Sequence, residues 1–192
     1  MSATDPNRVI LTGENPFLRL SLKDGDPNST DASFWRIIFS PAGPGHVLYL
    51  KSELTENRWR IYSDNIAMAR WLQGTVQGML NAELADQSIP VTDAEFSQSG
   101  DPRYFLSERV ETDEDDILLT WYEIGDPLLI HTQPNEVPGR QYGLSTILVP
   151  AGRAQLTMNG EVALGQPWPR ERDGRPFSTC ALAFSESWTE PR

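Results

Sequence analysis

The chain has 192 residues, 39% hydrophobic and 9% aromatic, and carries a formal net charge of −11. Its length suits one domain with a core of its own, and six tryptophans argue against disorder. A single cysteine, Cys180, and only two histidines, His46 and His131, exclude a disulfide framework and a Cys/His zinc cluster.

The negative charge is local. Thirteen acids stand against Arg103 and Arg109 between Asp86 and Glu136, and the rest of the chain is balanced. Such a chain repels phosphate backbones, so neither nucleic acid nor an anionic membrane is an expected partner. No apolar run approaches the ~20 residues of a bilayer-spanning helix. The start, MSATDPNRVILTGENP, lacks the basic and apolar regions of a secretory signal, and a lone cysteine fits a reducing cytoplasm.

In chain order, residues 1–16 read as irregular, FLRLSLK (17–23) as a possible first strand, and DGDPNSTDAS (24–33) as irregular again. FWRIIF (34–39), VLYLKSEL (47–54) and RWRIY (58–62) then alternate with period two, joined by SPAGPG (40–45) and ENR. An amphipathic helix is predicted near 64–80, capped by Ser63 or Asp64, with Met68, Leu72, Val76 and Met79 as its apolar stripe. Gly74 and Gly78 weaken that helix unless something packs closely against them.

RYFLSERV (103–110), ILLTWYEI (117–124) and LLIHT (128–132) follow as strands. ETDEDD (111–116) lacks the spacing of a calcium loop and reads as a solvated hairpin tip. Gly125-Asp126-Pro127 is predicted to close a hairpin of unfixed register. LSTILV (144–149) and RAQLTM (153–158) are expected to be joined by a turn at Ala151-Gly152. Asn159-Gly160 is the strongest turn signal, because a type I′ turn needs positive φ at both central positions. EVALG (161–165) and TCALAFSESW (179–188) are strands, and QPWPRERDGRP (166–176), with three prolines, a long exposed loop.

About ten short strands and one helix, with no repeat or linker, predict a mainly β protein forming a single domain over 1–192. The sheet is expected to be antiparallel and nearly closed, a calycin-like barrel with the helix plugging or flanking it. A two-sheet sandwich has the same alternation. The arrangement is broadly similar to bacterial lipocalin-like barrels, whose members bind or convert apolar small molecules. The likeness lies in architecture over most of the chain.

Alternation also singles out three carboxylates. Glu108 shares parity with Tyr104, Leu106 and Val110, and Glu123 with Ile117, Leu119 and Trp121. Glu186 shares parity with Cys180, Leu182, Phe184 and Trp188. If the large residues face inward, so do these glutamates, and burial raises a carboxyl pKa toward that of a general acid. The alternative is neutralisation by Arg103 and Arg109, or by Arg58 and Arg60.

His131, ending an apolar strand, is placed at a cavity rim as a general base or hydrogen-bond donor, or else as a half-exposed strand-end residue. If the 125–127 loop sets 121 opposite 131, then Trp121, Glu123 and His131 share one face. Trp121, Tyr122, Tyr104, Phe184 and Trp188 are the candidate substrate contacts. His46, after Gly-Pro-Gly, is expected to face solvent, Asp64 to act in helix capping, and Cys180 to be a buried, inert thiol.

The leading expectation is an acid–base enzyme of lyase, hydratase, isomerase or cyclase type that needs no metal or cofactor. Its substrate is a small, largely apolar or aromatic molecule held in the barrel. A non-catalytic binding protein of the same fold, and an acidic module that meets a basic partner protein, are the other readings. A homodimer is compatible with all three. At physiological salt, micromolar protein is expected to leave the mobility of duplex DNA unshifted in a gel titration.

Overall fold

The computed structural model describes residues 8–191. The chain opens with β1 (Val9–Glu14), β2 (Phe17–Leu20), β3 (Thr30–Phe39), β4 (Gly45–Ser52) and β5 (Arg60–Ser63). Helix α1 starts as Ile66–Leu72, runs through a π-helical turn, Gln73–Gln77, and ends with Gly78–Leu80. Next come β6 (Val91–Asp93), β7 (Glu95–Asp101), β8 (Phe105–Glu111), β9 (Asp116–Ile124), β10 (Leu128–Thr132) and β11 (Gly143–Met158). The last strands are β12 (Glu161–Val162), β13 (Pro169–Arg172), β14 (Arg175–Ser178) and β15 (Ala181–Thr189).

All but β13 and β14 belong to one 13-stranded sheet, mostly antiparallel, with order β6-β5-β4-β3-β1-β15-β11-β9-β8-β7. The pairing of β5 with β6 is parallel. The two ends of that path, β6 and β7, are consecutive in the chain and separated by Ala94 alone.

The sheet folds over so that β3 and β4 pack against β8 and β9. Ala32, Phe34, Leu48 and Leu50 meet Leu106, Val110, Leu119 and Trp121 in this first core. The other face of β3–β5 forms a second core, in which Trp35, Val47, Tyr49 and Ile61 receive the helix. Covering on both sides explains why Val47–Leu50 is fully buried without a break, whereas a one-sided strand would alternate.

The helix lies where the sequence pattern predicts it, and its stripe is as expected: Met68, Leu72 and Val76 are buried and Met79 partly so. Its cap differs. Asn65, not Ser63 or Asp64, accepts from Met68 N at 3.1 Å. Buried Gln77 accepts from Trp35 Nε1 at 3.0 Å, and buried Gln73 donates to Asp86 O at 2.8 Å. A Cβ on Gly78 would lie 2.6 Å from Gln73 O and 3.3 Å from Ala85 Cα, so this glycine answers a neighbouring turn rather than the sheet.

Several local expectations fail because strand pairing, not the local turn or irregular composition, decides where a strand runs. β11 runs straight through Pro150, Ala151 and Gly152, giving one 16-residue strand instead of two. Gly125-Asp126-Pro127 closes no hairpin. β9 pairs with 151–158 of β11 and β10 with 144–148, so the two strands lie end to end along the same neighbour. The 24–33 segment contributes the start of β3, residues 9–14 form β1, and the expected 166–176 loop contains the β13–β14 hairpin. The Asp173-Gly174 turn of that hairpin has φ of 51° and 72°, the same chemistry as Asn159-Gly160 at 54° and 83°. Residues 1–7, the rest of the expected irregular start, lie outside the described residues.

Glu108 bears out its parity and is fully buried in the fold-over. Its neutraliser is none of the four arginines considered. Arg36, on the same parity as Ala32 and Phe34, reaches across and donates to both carboxylate oxygens at 3.1 Å. Removing one partner of a buried pair strands the other. Glu108→Ala is expected to cost about 3 kcal/mol, at the low end of such losses because Arg36 keeps Glu14 as a second partner. Urea unfolding measures it, and a loss below about 1 kcal/mol would contradict the pair's structural role.

Candidate functional site

β15 carries the break that builds the site. Cys180 and Leu182 point into the first core, as alternation predicts, and Phe184 packs at its edge. At Ser185 the backbone turns left-handed, with φ of 52°. Ser145 pairs with Ser187 and Ile147 with Phe184, so two residues of β15, Ser185 and Glu186, stand opposite Thr146. One extra residue inverts parity beyond it. Glu186 and Trp188 therefore leave the first core for the opposite face of the sheet.

On that face lies a half-enclosed cavity of about 570 Å³, between the C-terminal end of the helix and the β13–β14 hairpin. Its apolar wall includes Phe17, Ile130, Leu144, Leu148 and Phe177. Its polar wall includes Asn15, Asp31, Ser33, Gln77, Thr146 and Glu186. Glu186 is 4% exposed, and its Oε1 accepts from Trp188 Nε1 at 2.7 Å. Burial pushes its carboxyl up to about 7, while Trp188, Thr146, Asn15 and the charge of Arg140 oppose the rise. Asp31 is raised as well, by burial, against the pull of Arg19, Asn28 and Lys51. Two carboxyls biased toward their protonated forms thus share one cavity with an aromatic and an aliphatic wall.

The other expected site residues lie elsewhere. Glu123 has φ of 51°, which turns its side chain off the core face. It is exposed, 3.9 Å from Arg153. His131 is exposed on the side of β10 opposite Ile130, hydrogen-bonded to Gln133 at 2.7 Å. Trp121 is core, its Nε1 donating to Phe17 O at 3.0 Å. Because β9 and β10 do not pair, Trp121, Glu123 and His131 form no common pocket. Tyr104 and Tyr122 are surface residues, and Tyr122 stacks on Phe105 at 6.5 Å. Of the expected contacts and acids, only Glu186 and Trp188 line the cavity.

The second buried carboxylate, Glu108, belongs to a separate chain of contacts. Gln98 donates to it at 2.6 Å alongside Arg36. Burial nevertheless pushes its carboxyl up to about 7. Arg36 Nε donates to His46 Nε2 at 3.3 Å, and His46 Nδ1 donates to Asp64 Oδ2 at 2.6 Å. His46 is therefore half-buried and committed at both ring nitrogens, not solvent-facing. Its ring stacks on Phe96 at 5.2 Å, so it ties β4 to β7 and leaves no nitrogen free as a base.

Sequence reasoning missed Asp31 and the four arginines that also line the cavity, Arg19, Arg140, Arg170 and Arg172. Extending the alternation of FWRIIF back to Thr30 would have put Asp31 and Ser33 on the face of Trp35. The R-E-R spacing of 170–172 is likewise period two. Among the described residues, no three His, Cys, Asp or Glu side chains come together as a metal-ligand group. Compared with protein-family models, with curated proteins and with solved structures, the chain matches none.

A raised carboxyl pKa has a thermodynamic signature. The folded state keeps the Glu186 proton where the unfolded chain has lost it, so its contribution is full below about 4.5 and is lost as pH rises through about 7. The advantage of wild type over Glu186→Gln is expected to fall by on the order of 3 kcal/mol between these limits, each tenfold in proton affinity being worth about 1.4 kcal/mol. Urea midpoints of both proteins at several pH values check this, and parallel curves would contradict it.

Proposed function

We propose that the chain is a small-molecule protein whose ligand occupies the cavity beside Glu186, and that it works by acid–base chemistry at that carboxyl. The observation that supports this is the transfer of Glu186 out of a packed core into a cavity of ligand size, where the carboxyl stays protonated close to neutral pH. A neutral carboxyl at pH 7 can donate a proton to a developing anion, and Asp31 in the same cavity is the candidate acceptor in its ionised form. Isomerisation, dehydration and cyclisation of a partly apolar molecule need only these two roles. Trp188 acts as a positioning residue, fixing one oxygen of Glu186.

The same reading takes the folded-over sheet as a calycin-like barrel variant, supported by the meeting of its edge strands at Ala94. The ligand site then sits on the outer face, because the first core is filled by Phe34, Leu48 and Trp121. A cytoplasmic setting accords with Cys180, a buried free thiol whose pKa burial raises to about 12.

A non-catalytic binding protein would use the same cavity, and one pair of measurements separates the readings. Small-molecule fragments are screened by amide chemical shifts. Perturbations are expected to cluster at residues such as Phe17, Thr146, Leu148 and Glu186. Shifts that avoid them would sink the site. For a ligand that turns over, Glu186→Gln is expected to abolish turnover, by roughly 10²–10⁴-fold, while keeping affinity within a few-fold. Unchanged turnover would remove the acid role, and a ligand that never turns over would leave the binding reading.

A further inference from the structure

The cavity is far more basic than the protein around it. Of the chain's 16 lysines and arginines, four arginines, Arg19, Arg140, Arg170 and Arg172, line this one cavity, against Asp31 and Glu186. They come from three separate parts of the fold: β2, the 133–142 loop and the β13–β14 hairpin. Arg170 is held by Asp24 at 2.7 Å. Among the described residues Arg19, Arg140 and Arg172 have no carboxylate within 4.0 Å, and Arg19 lies over the Phe17 ring at 5.0 Å. The three are close enough to feel each other: besides burial, the charges of Arg172 and Arg19 depress the pKa of Arg140. In a chain of net charge −11, unpaired guanidinium groups converging on one hollow are held together against their own repulsion.

Resting on the reading of this cavity as the ligand site, the geometry points to a ligand that is a monoanionic amphiphile, with a carboxylate or sulfonate group at the arginines and an apolar body along Ile130, Leu148 and Phe177. Guanidinium forks match such groups with paired N–H donors, and the half-enclosed setting strengthens the attraction by limiting its screening. The two acids of the cavity do not reverse this choice: four guanidinium groups outnumber Asp31 and Glu186, so the hollow keeps a net positive charge even with both acids ionised. A cationic ligand would meet that excess of like charge, and a neutral one would leave it unused.

The test compares three probes of equal chain length, octanoate, 1-octanol and octylammonium, by calorimetry on the full chain, with amide shifts locating each site. Octanoate is expected to bind at the cavity at least about tenfold more tightly than 1-octanol, with octylammonium weakest, since a charge-assisted pair contributes about that much. Raising the salt concentration should weaken octanoate and spare 1-octanol. The double variant Arg140→Gln/Arg172→Gln should erase the preference for octanoate while holding 1-octanol affinity, a control that shows the cavity still folds. Octanoate no tighter than 1-octanol, or a preference that survives the double variant, would overturn the inference while 1-octanol in the cavity upholds the site. No cavity binding by any of the three would overturn both.

Discussion

β15 lies between β1 and β11 near the middle of the sheet path, and it has to serve both faces of the sheet. Its first residues fill the core between the folded-over halves, and its last ones close the face that the helix covers. A regular strand could not do this with large residues at every second position, because all of them would fall on one side. The left-handed backbone at Ser185 resolves the conflict by spending one residue on a bulge. Without that residue Glu186 would sit in an apolar interior with no water and no cation, where an ionised carboxylate is untenable. With it, the same side chain lines a cavity, and the carboxyl stays close to neutrality in charge.

Two buried glutamates are thus handled in opposite ways. Glu108 stays in the core, where one nitrogen of Arg36, from the other half of the sheet, reaches both its oxygens and Gln98 donates to it, while Glu14 and His46 hold that arginine in place. It is a structural clamp across the fold-over, and truncating it leaves the half-buried Arg36 with Glu14 as its one carboxylate partner. Glu186 has an indole, polar neighbours and the charge of Arg140 but no salt bridge, and these only partly oppose the rise that burial causes. Partnered carboxylates stabilise folds, while unpartnered ones beside a hollow are available for chemistry.

Charge is distributed with the same division of labour. Of the thirteen acids from Asp86 to Glu136, six lie on β7, β8 and β9 and three, Asp113 to Asp115, in the turn between β8 and β9, and Asp101 and Asp116 pair with Arg103 and Arg109 at the surface. Exposed pairs of that kind contribute little to stability. Three arginines without a carboxylate within 4.0 Å among the described residues, Arg19, Arg140 and Arg172, instead line the cavity. The chain thus joins a net charge of −11 to a hollow in which arginines outnumber acids four to two.

Much of the local structure was legible in the sequence by itself. Period-two alternation located most strands, the spacing of Met68, Leu72 and Val76 located the helix, and Asn159-Gly160 announced its turn, because each depends on neighbours within a few residues. The inward side chain of Glu108 and the burial of Cys180 follow from the same alternation. Tertiary structure alone decided which strands pair, and so carried β11 through Pro150-Ala151-Gly152 and set β9 and β10 end to end, separating Glu123 from His131. It alone placed the Ser185 bulge, since an extra residue exists only relative to the register of a partner strand. It also brought Arg36 to Glu108, 72 residues away, and gathered the cavity arginines from three segments. Contacts of that range leave no periodic mark in a sequence, because what selects them is the packing of the whole sheet.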